Sequence, residues 1–470
     1  MFESVNQCIT NPIGELSHQK QSAMTNQCIP YTSRISEYAF ITYFFILSFF
    51  PFNADIVKSL CLLIVISCWI ILAISEKRIL FAKTTLNIPI FLFLICSFFA
   101  SFHSTYIKDS FHTVLFDYLP YFITFFCMVN TIRGQEQIQR IVKAMLITCG
   151  LVCAYGLYAY YTGIAVHANR LVATFEYPSR IAKYISLLLP VAVCLFFYYK
   201  NISTRLYIVL LILICSFSLI LTMSRASWVA IFITILFIFF AVKRKYLSFI
   251  FIGVCALFIC ILPSKFIAHA KTITQVKEFF SSEKILGERL LCWKASFSMI
   301  REHPIIGIGP GSRAFRDAYQ QYGQKIRDTE YQQKLVSSPE KKNETIPAKP
   351  EKVKTKKKNR VKKVDKLSHP HNIFLHIYVG TGIVGLLTFS WLFATVFYKA
   401  VKSWRLLTMG YDKMLLLGIT ASLISIFLHG FTDSFWKKPD ALFLWYIIGI
   451  LFVIVKDIEN RISVPSGVSS

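Results

Sequence analysis

The residues best placed to do chemistry lie in His369-Pro370-His371-Asn372-Ile373-Phe374-Leu375, where a long polar, basic stretch ends and an apolar run begins. Ionisable groups at the foot of a membrane helix are costly to keep dry, so they mark a functional site by default. Pro370 favours a helix start directly after it, which puts His371 in the first turn. There the positive end of the helix dipole and nearby arginines disfavour an imidazolium. The ring is left neutral and able to accept a proton, as a general base must. The plainer alternative is an interfacial histidine that hydrogen-bonds a carbonyl. His369 and His376 are weaker candidates. His369 and His371 also offer two metal ligands, but the sequence supplies no clear third.

Arginines are the second ingredient. Arg225 stands in Thr222-Met223-Ser224-Arg225-Ala226-Ser227, between two apolar runs with almost no loop separating them. It needs an anionic partner there, unless it simply snorkels to the interface. Arg289 lies in Gly287-Glu288-Arg289-Leu290-Leu291-Cys292-Trp293 and Arg170 in Asn169-Arg170-Leu171. Either alone reads equally well as a solvated or Glu-paired residue. Guanidinium forks converging from separate elements are the usual grip on a pyrophosphate, because the planar fork matches two phosphate oxygens. The spacing shows the arginines but not their convergence. Asp433 falls on the same side of the membrane as Arg170, Arg225, Arg289 and His371.

The elements that must position these groups are membrane helices. Of 470 residues, 55% are hydrophobic, 16% aromatic and only 16% charged, against roughly a quarter charged in a soluble protein. Near-continuous apolar runs predict an all-α polytopic membrane protein with twelve spans. They fall at about 37–53, 56–75, 85–103, 113–131, 141–161, 181–199, 206–223, 227–242, 246–263, 373–397, 412–431 and 440–456. Residues 1–35 are polar, so no cleavable signal peptide is read. Most of the thirteen cysteines sit inside apolar runs as small hydrophobes, and no CxxC or zinc spacing occurs.

Alternate short loops carry nineteen and eight basic residues, which places the richer set and both termini in the cytoplasm. The expected organisation is a cytoplasmic tail at 1–36, nine spans over 37–263, a large extracytoplasmic loop at 264–372, three spans over 373–456 and a cytoplasmic tail at 457–470. Within the loop, Leu286, Leu290, Trp293, Phe297 and Ile300 predict an amphipathic helix at 284–301. His303-Pro304 ends it, before the Gly307-Ile308-Gly309-Pro310-Gly311 turn. Residues 339–366 are dominated by Lys, Glu, Asn and Pro and read as a flexible polybasic insert. That insert attracts anionic lipid or phosphorylated polysaccharide, or is simply solvated. A loop on this side of the membrane excludes nucleic acid.

The Thr222–Trp228 segment, Arg301-Glu302-His303-Pro304-Ile305-Ile306-Gly307-Ile308-Gly309-Pro310-Gly311, His369–Leu375 and Gly380-Thr381-Gly382-Ile383-Val384-Gly385 resemble, in order, the O-antigen ligase family of bacterial envelope glycosyltransferases. The resemblance covers about 165–455. That superfamily also contains O-antigen polymerases and protein O-oligosaccharyltransferases. The resemblance implies a GT-C-like architecture in the bacterial inner membrane, with a periplasmic loop and active site. It implies an undecaprenyl-pyrophosphate-linked polysaccharide as donor and a lipid A-core oligosaccharide as acceptor, amid membrane lipids. It also implies inverting transfer with no cofactor and no metal. His371 matches the family's base, and Arg225 and Arg289 its pyrophosphate ligands. Arg170 is a less secure match, and Asn372, His369 and Asp433 are possible supporting residues. The polybasic insert departs from the family pattern. A single large loop favours the ligase over a polymerase. A lipid-linked saccharide transporter ranks last, because the spans carry almost no charge at mid-depth and show no repeat.

Overall fold

The computed structural model describes residues 30–53, 55–77, 81–164, 166–244, 246–253, 287–337 and 367–463. Apolar runs become helices here because a lipid-facing backbone has no water to satisfy it and must bond within its own segment. In chain order they are α1 (30–49), α2 (Asp55–Ser75), α3 (Asn87–Phe102), α4 (Ile107–Thr131), α5 (Gly134–Tyr161), α6 (Pro178–Tyr198), α7 (Ile202–Leu221) and α8 (Arg225–Ala241). After a helical stretch at 246–253 come α9 (Gly287–Glu302), α10 (Ser312–Ser337), α11 (Ile373–Leu406), α12 (Tyr411–Gly430) and α13 (Asp440–Ser463). Eight of these are long and apolar enough to cross a membrane, and α3 and α8 are shorter apolar helices. This is an all-α polytopic membrane fold. Its one sheet among the described residues is a two-stranded hairpin, Val166–His167 with Arg170–Leu171.

Helix α1 starts at residue 30, inside the stretch read as a tail. Its polar residues are buried but satisfied. Ser33 donates to the Thr131 carbonyl at 2.9 Å, and Glu37 pairs with Arg140 at 2.5 Å. Helices α6, α12 and α13 form the interior, while Leu60, Phe99, Leu210 and Leu387 face outward as lipid-facing residues do. Gly418 lets α12 lie against α6, where Ser422 donates to the Leu187 carbonyl at 2.6 Å.

Among its described residues the large loop holds two helices rather than one. Helix α10 was not expected, although Phe315, Tyr319, Tyr322 and Ile326 recur at helical spacing. It packs on α9 in a separate small core of Leu291, Cys292, Ala295, Met299, Phe315 and Tyr319. Helix α9 therefore buries a different stripe from the expected one: Phe297 is 54% exposed. Burial there follows the partner helix, which the spacing alone did not reveal. Residues 284–286 and the polybasic insert lie outside the described residues.

The pair docks through the glycine turn. Ile308 N–H donates to the Val379 carbonyl and Ile383 N–H to the Pro304 carbonyl, both at 2.9 Å. Helix α11 is broken for this at Gly382, with φ 66°. A Cβ there would fall on the Ile305 carbonyl, so only glycine fits.

Candidate active site

The segment between α10 and α11 does not start its helix where Pro370 implied. Asn372 is the N-cap of α11, accepting from Leu375 N–H at 3.1 Å, so His371 sits ahead of the first turn rather than in it. Its backbone is left-handed, with φ 52°, a costly conformation for a non-glycine residue that is common at functional sites. Two contacts hold it. Trp293 of α9 donates its indole N–H to the Pro370 carbonyl at 2.9 Å, and the Asn372 amide donates to the Phe431 carbonyl at 3.0 Å.

The partner of His371 comes from the connection between α12 and α13. Asp433 is 5% exposed, and its Oδ1 lies 3.2 Å from both His371 Nδ1 and His369 Nε2. Ser434 N–H also donates to Oδ1, at 2.9 Å. Trp436, three residues on, anchors this connection, its ring centroid 5.1 Å from Phe389 and 5.5 Å from Phe93.

Burial by itself would raise the Asp433 carboxyl, but Lys183 and the two histidines outweigh it and hold the group well below the usual carboxylate range. An ionised carboxylate only accepts hydrogen bonds, so the ring nitrogens facing it carry the protons. In the neutral ring, that tautomer leaves the lone pair of His371 on Nε2. His369 is pushed down to about 3 by burial first and then by Lys437 and His371, against the pull of its Asp433 hydrogen bond, so it stays neutral.

His369, His371 and Asp433 also bring three donor atoms within 4.8 Å of one another, the third ligand that the sequence lacked. Yet the histidine nitrogens of this group are those that donate to the carboxylate. An ion held there would need both rings in the opposite tautomer.

The arginines gather at the same end of the bundle. Arg170 follows a two-residue turn at Ala168 and Asn169, both with positive φ, and its Nε and Nη2 donate to the Thr222 and Met223 carbonyls at 2.7 and 3.2 Å. It thus caps the α7 end and shapes the corner from which Arg225 starts α8. Burial, followed by the charges of Arg225 and Arg289, lowers Arg170 from the ordinary arginine value. The three arginine charges, which come from separate elements, lie near enough to act on one another.

Two hydroxyls and a histidine lie between the two clusters. Ser224 and Ser227 flank Arg225 and lie 3.1 Å apart, Ser227 is 2.7 Å from His429 Nδ1, and His429 Nε2 is 4.0 Å from Asp433. The Arg289 charge also reaches His429.

Sequence reasoning overlooked three members. It counted Lys183 as a loop charge, yet the residue lies in α6, 5% exposed, between Asp433 and Asp440. His429 was passed over inside an apolar run, and Asp440 at the start of another. The available signal was an ionisable residue within an apolar run, the same rule that singled out His371.

Fold and site together define a polytopic membrane protein with a histidine–carboxylate pair beside a cluster of guanidinium groups at one end of its helices. Residues 210–335 match the family model described as O-antigen ligase. Its members are glycosyltransferase-like enzymes of the ligase and polymerase type, working on lipid-linked saccharides in the membrane. Arg225, Arg289 and the glycine turn lie inside the match, whereas Arg170, His371 and Asp433 lie outside it. No curated protein matches the chain.

Proposed function

We propose that this protein is an O-antigen ligase. It transfers polysaccharide from undecaprenyl pyrophosphate to a sugar hydroxyl of lipid A-core oligosaccharide at the periplasmic face of the inner membrane. The reading rests on one observation above all: the His371–Asp433 pair stands at the same end of the bundle as Arg170, Arg225 and Arg289.

In this mechanism His371 Nε2 accepts the proton of the acceptor hydroxyl as its oxygen attacks the anomeric carbon. The bond from that carbon to the pyrophosphate oxygen breaks on the opposite face, so configuration inverts in a single displacement. Asp433 holds the ring in the productive tautomer and stabilises the imidazolium that forms. Arg225 and Arg289 meet the negative charge that develops on the departing pyrophosphate, which is why no metal ion is required. His371 then releases its proton to solvent.

Replacing His371 by Ala should abolish transfer while leaving the protein folded and inserted; transfer at the wild-type rate would sink the assignment. The lipopolysaccharide of a deletion strain separates the family's reactions. Long lipid-linked chains that never join the core indicate a ligase, and a single repeat on the core indicates a polymerase.

A further inference from the structure

Lys183 is a lysine buried in an apolar helix with three partners around its ammonium group. Nζ lies 2.5 Å from Asp440 Oδ2 and 3.3 Å from Asp433 Oδ2, and donates to the Ser434 carbonyl at 2.9 Å. These partners lie in the α12–α13 connection and the first turn of α13, so the lysine ties α6 to the segment that carries Asp433. The two oxygens of Asp433 are thereby divided. Oδ2 faces the ammonium, and Oδ1 is left for Ser434 N–H and the two histidines.

Resting on the ligase reading, we propose that Lys183 and Asp440 form a charge clamp that positions Asp433 for catalysis, keeping it ionised with Oδ1 turned to His371. The lysine touches no reacting atom. It acts through Asp433, and the second carboxylate, Asp440, balances it. An ammonium held by Asp433 alone would draw that carboxylate away from the histidines. With two acidic partners the ammonium is shared, and Asp433 can serve both sides.

Other titratable groups face this cluster. His369 and His371 approach from the segment before α11, His376 from α11 and His429 from α12. Lys437 shares the Asp433 connection, Arg180 precedes Lys183 on α6, and Arg289 reaches over from α9. None of these differs between the variants below, so opposite shifts would belong to the clamp.

The test is the pH profile of transfer by the purified full-length protein, with undecaprenyl-pyrophosphate-linked O-antigen as donor and lipid A-core as acceptor. Lys183→Met removes the positive charge beside Asp433. The Asp433–His371 pair then takes up a proton more readily, so the acidic limb should move up by about one unit or more, with kcat falling more than KM changes. Asp440→Asn removes a negative charge with little change of shape and should move the same limb down. A folded Lys183→Met protein with the wild-type limb would overturn the proposal. Should that variant fail to fold, Asp440→Asn decides alone, and an unmoved limb again overturns it. Failure here is distinct from failure of the ligase reading, which would appear as transfer surviving in His371→Ala.

Discussion

His371 Nδ1 lies 3.2 Å from Asp433 Oδ1 across 62 residues of sequence, and the contact joins the start of α11 to the connection that follows α12. A histidine held in this way at Nδ1 exposes Nε2, and its ring cannot turn without losing the bond.

Asp433→Asn is expected to lower kcat by on the order of 10²- to 10⁴-fold, with KM for the acceptor little changed. An amide side chain can donate as well as accept, so it no longer dictates which histidine nitrogen carries the proton. Steady-state transfer rates in detergent would check this. An unchanged kcat would show that His371 needs no orienting carboxylate.

The three arginines should separate by function. Arg170→Lys loses a two-carbonyl clamp on the α7–α8 corner, and hydrogen bonds from a charged donor contribute about 1.5–3 kcal/mol each. Its main effect is expected in the melting temperature. Arg225→Lys and Arg289→Lys should instead melt near the wild type and lose on the order of 10²-fold in kcat, because a lysine cannot match two phosphate oxygens. If Arg170→Lys keeps its melting temperature and loses rate like the other two, it is a pyrophosphate ligand and not a brace.

Gly382→Ala tests the docking of the α9–α10 pair. A methyl group at that position meets the Ile305 carbonyl, and the positive φ adds strain. The helix pair should detach from α11, and the Pro370 carbonyl should lose Trp293. Faster proteolysis between α9 and α10 and loss of transfer are expected, with membrane insertion intact.

His369 gives a pH dependence of stability with a definite sign. Burial, more than the Lys437 and His371 charges, pushes it down to about 3, whereas in the unfolded chain it takes up a proton near about 6.5. Between those values the unfolded state binds more protons. Its stabilising effect is therefore complete above the upper value and is lost as the pH falls towards the lower one. His369→Gln should flatten this dependence, seen as a smaller difference in melting temperature between about pH 5 and about pH 7.5 than in the wild type. An equal difference would assign the dependence to another group.

The membrane class was legible in the sequence because it depends on local properties. A run of some twenty apolar residues must become a helix wherever it packs, since lipid offers its backbone no partner. Cost alone also flagged His371 and Arg225, as ionisable groups placed at the ends of apolar runs, whereas Arg289 took its role only from the resemblance. Helix α10 was less visible. Its apolar stripe is broken by charges that find partners only in the folded protein, such as Arg327 with Glu288 at 2.6 Å.

What tertiary structure decided is which of these groups meet. Sequence gave Asp433 no partner, yet it stands between two histidines and a lysine that lies 251 residues from the neighbouring Ser434. Arg170 matched less securely than Arg225, and the fold sets its guanidinium on the Thr222 and Met223 carbonyls at the corner from which Arg225 starts α8. Asn372, not His371, begins the helix after Pro370. Ion pairs and caps of this kind act over about 3 Å, and chain spacing carries no information about such distances between helices that only the packed bundle brings together.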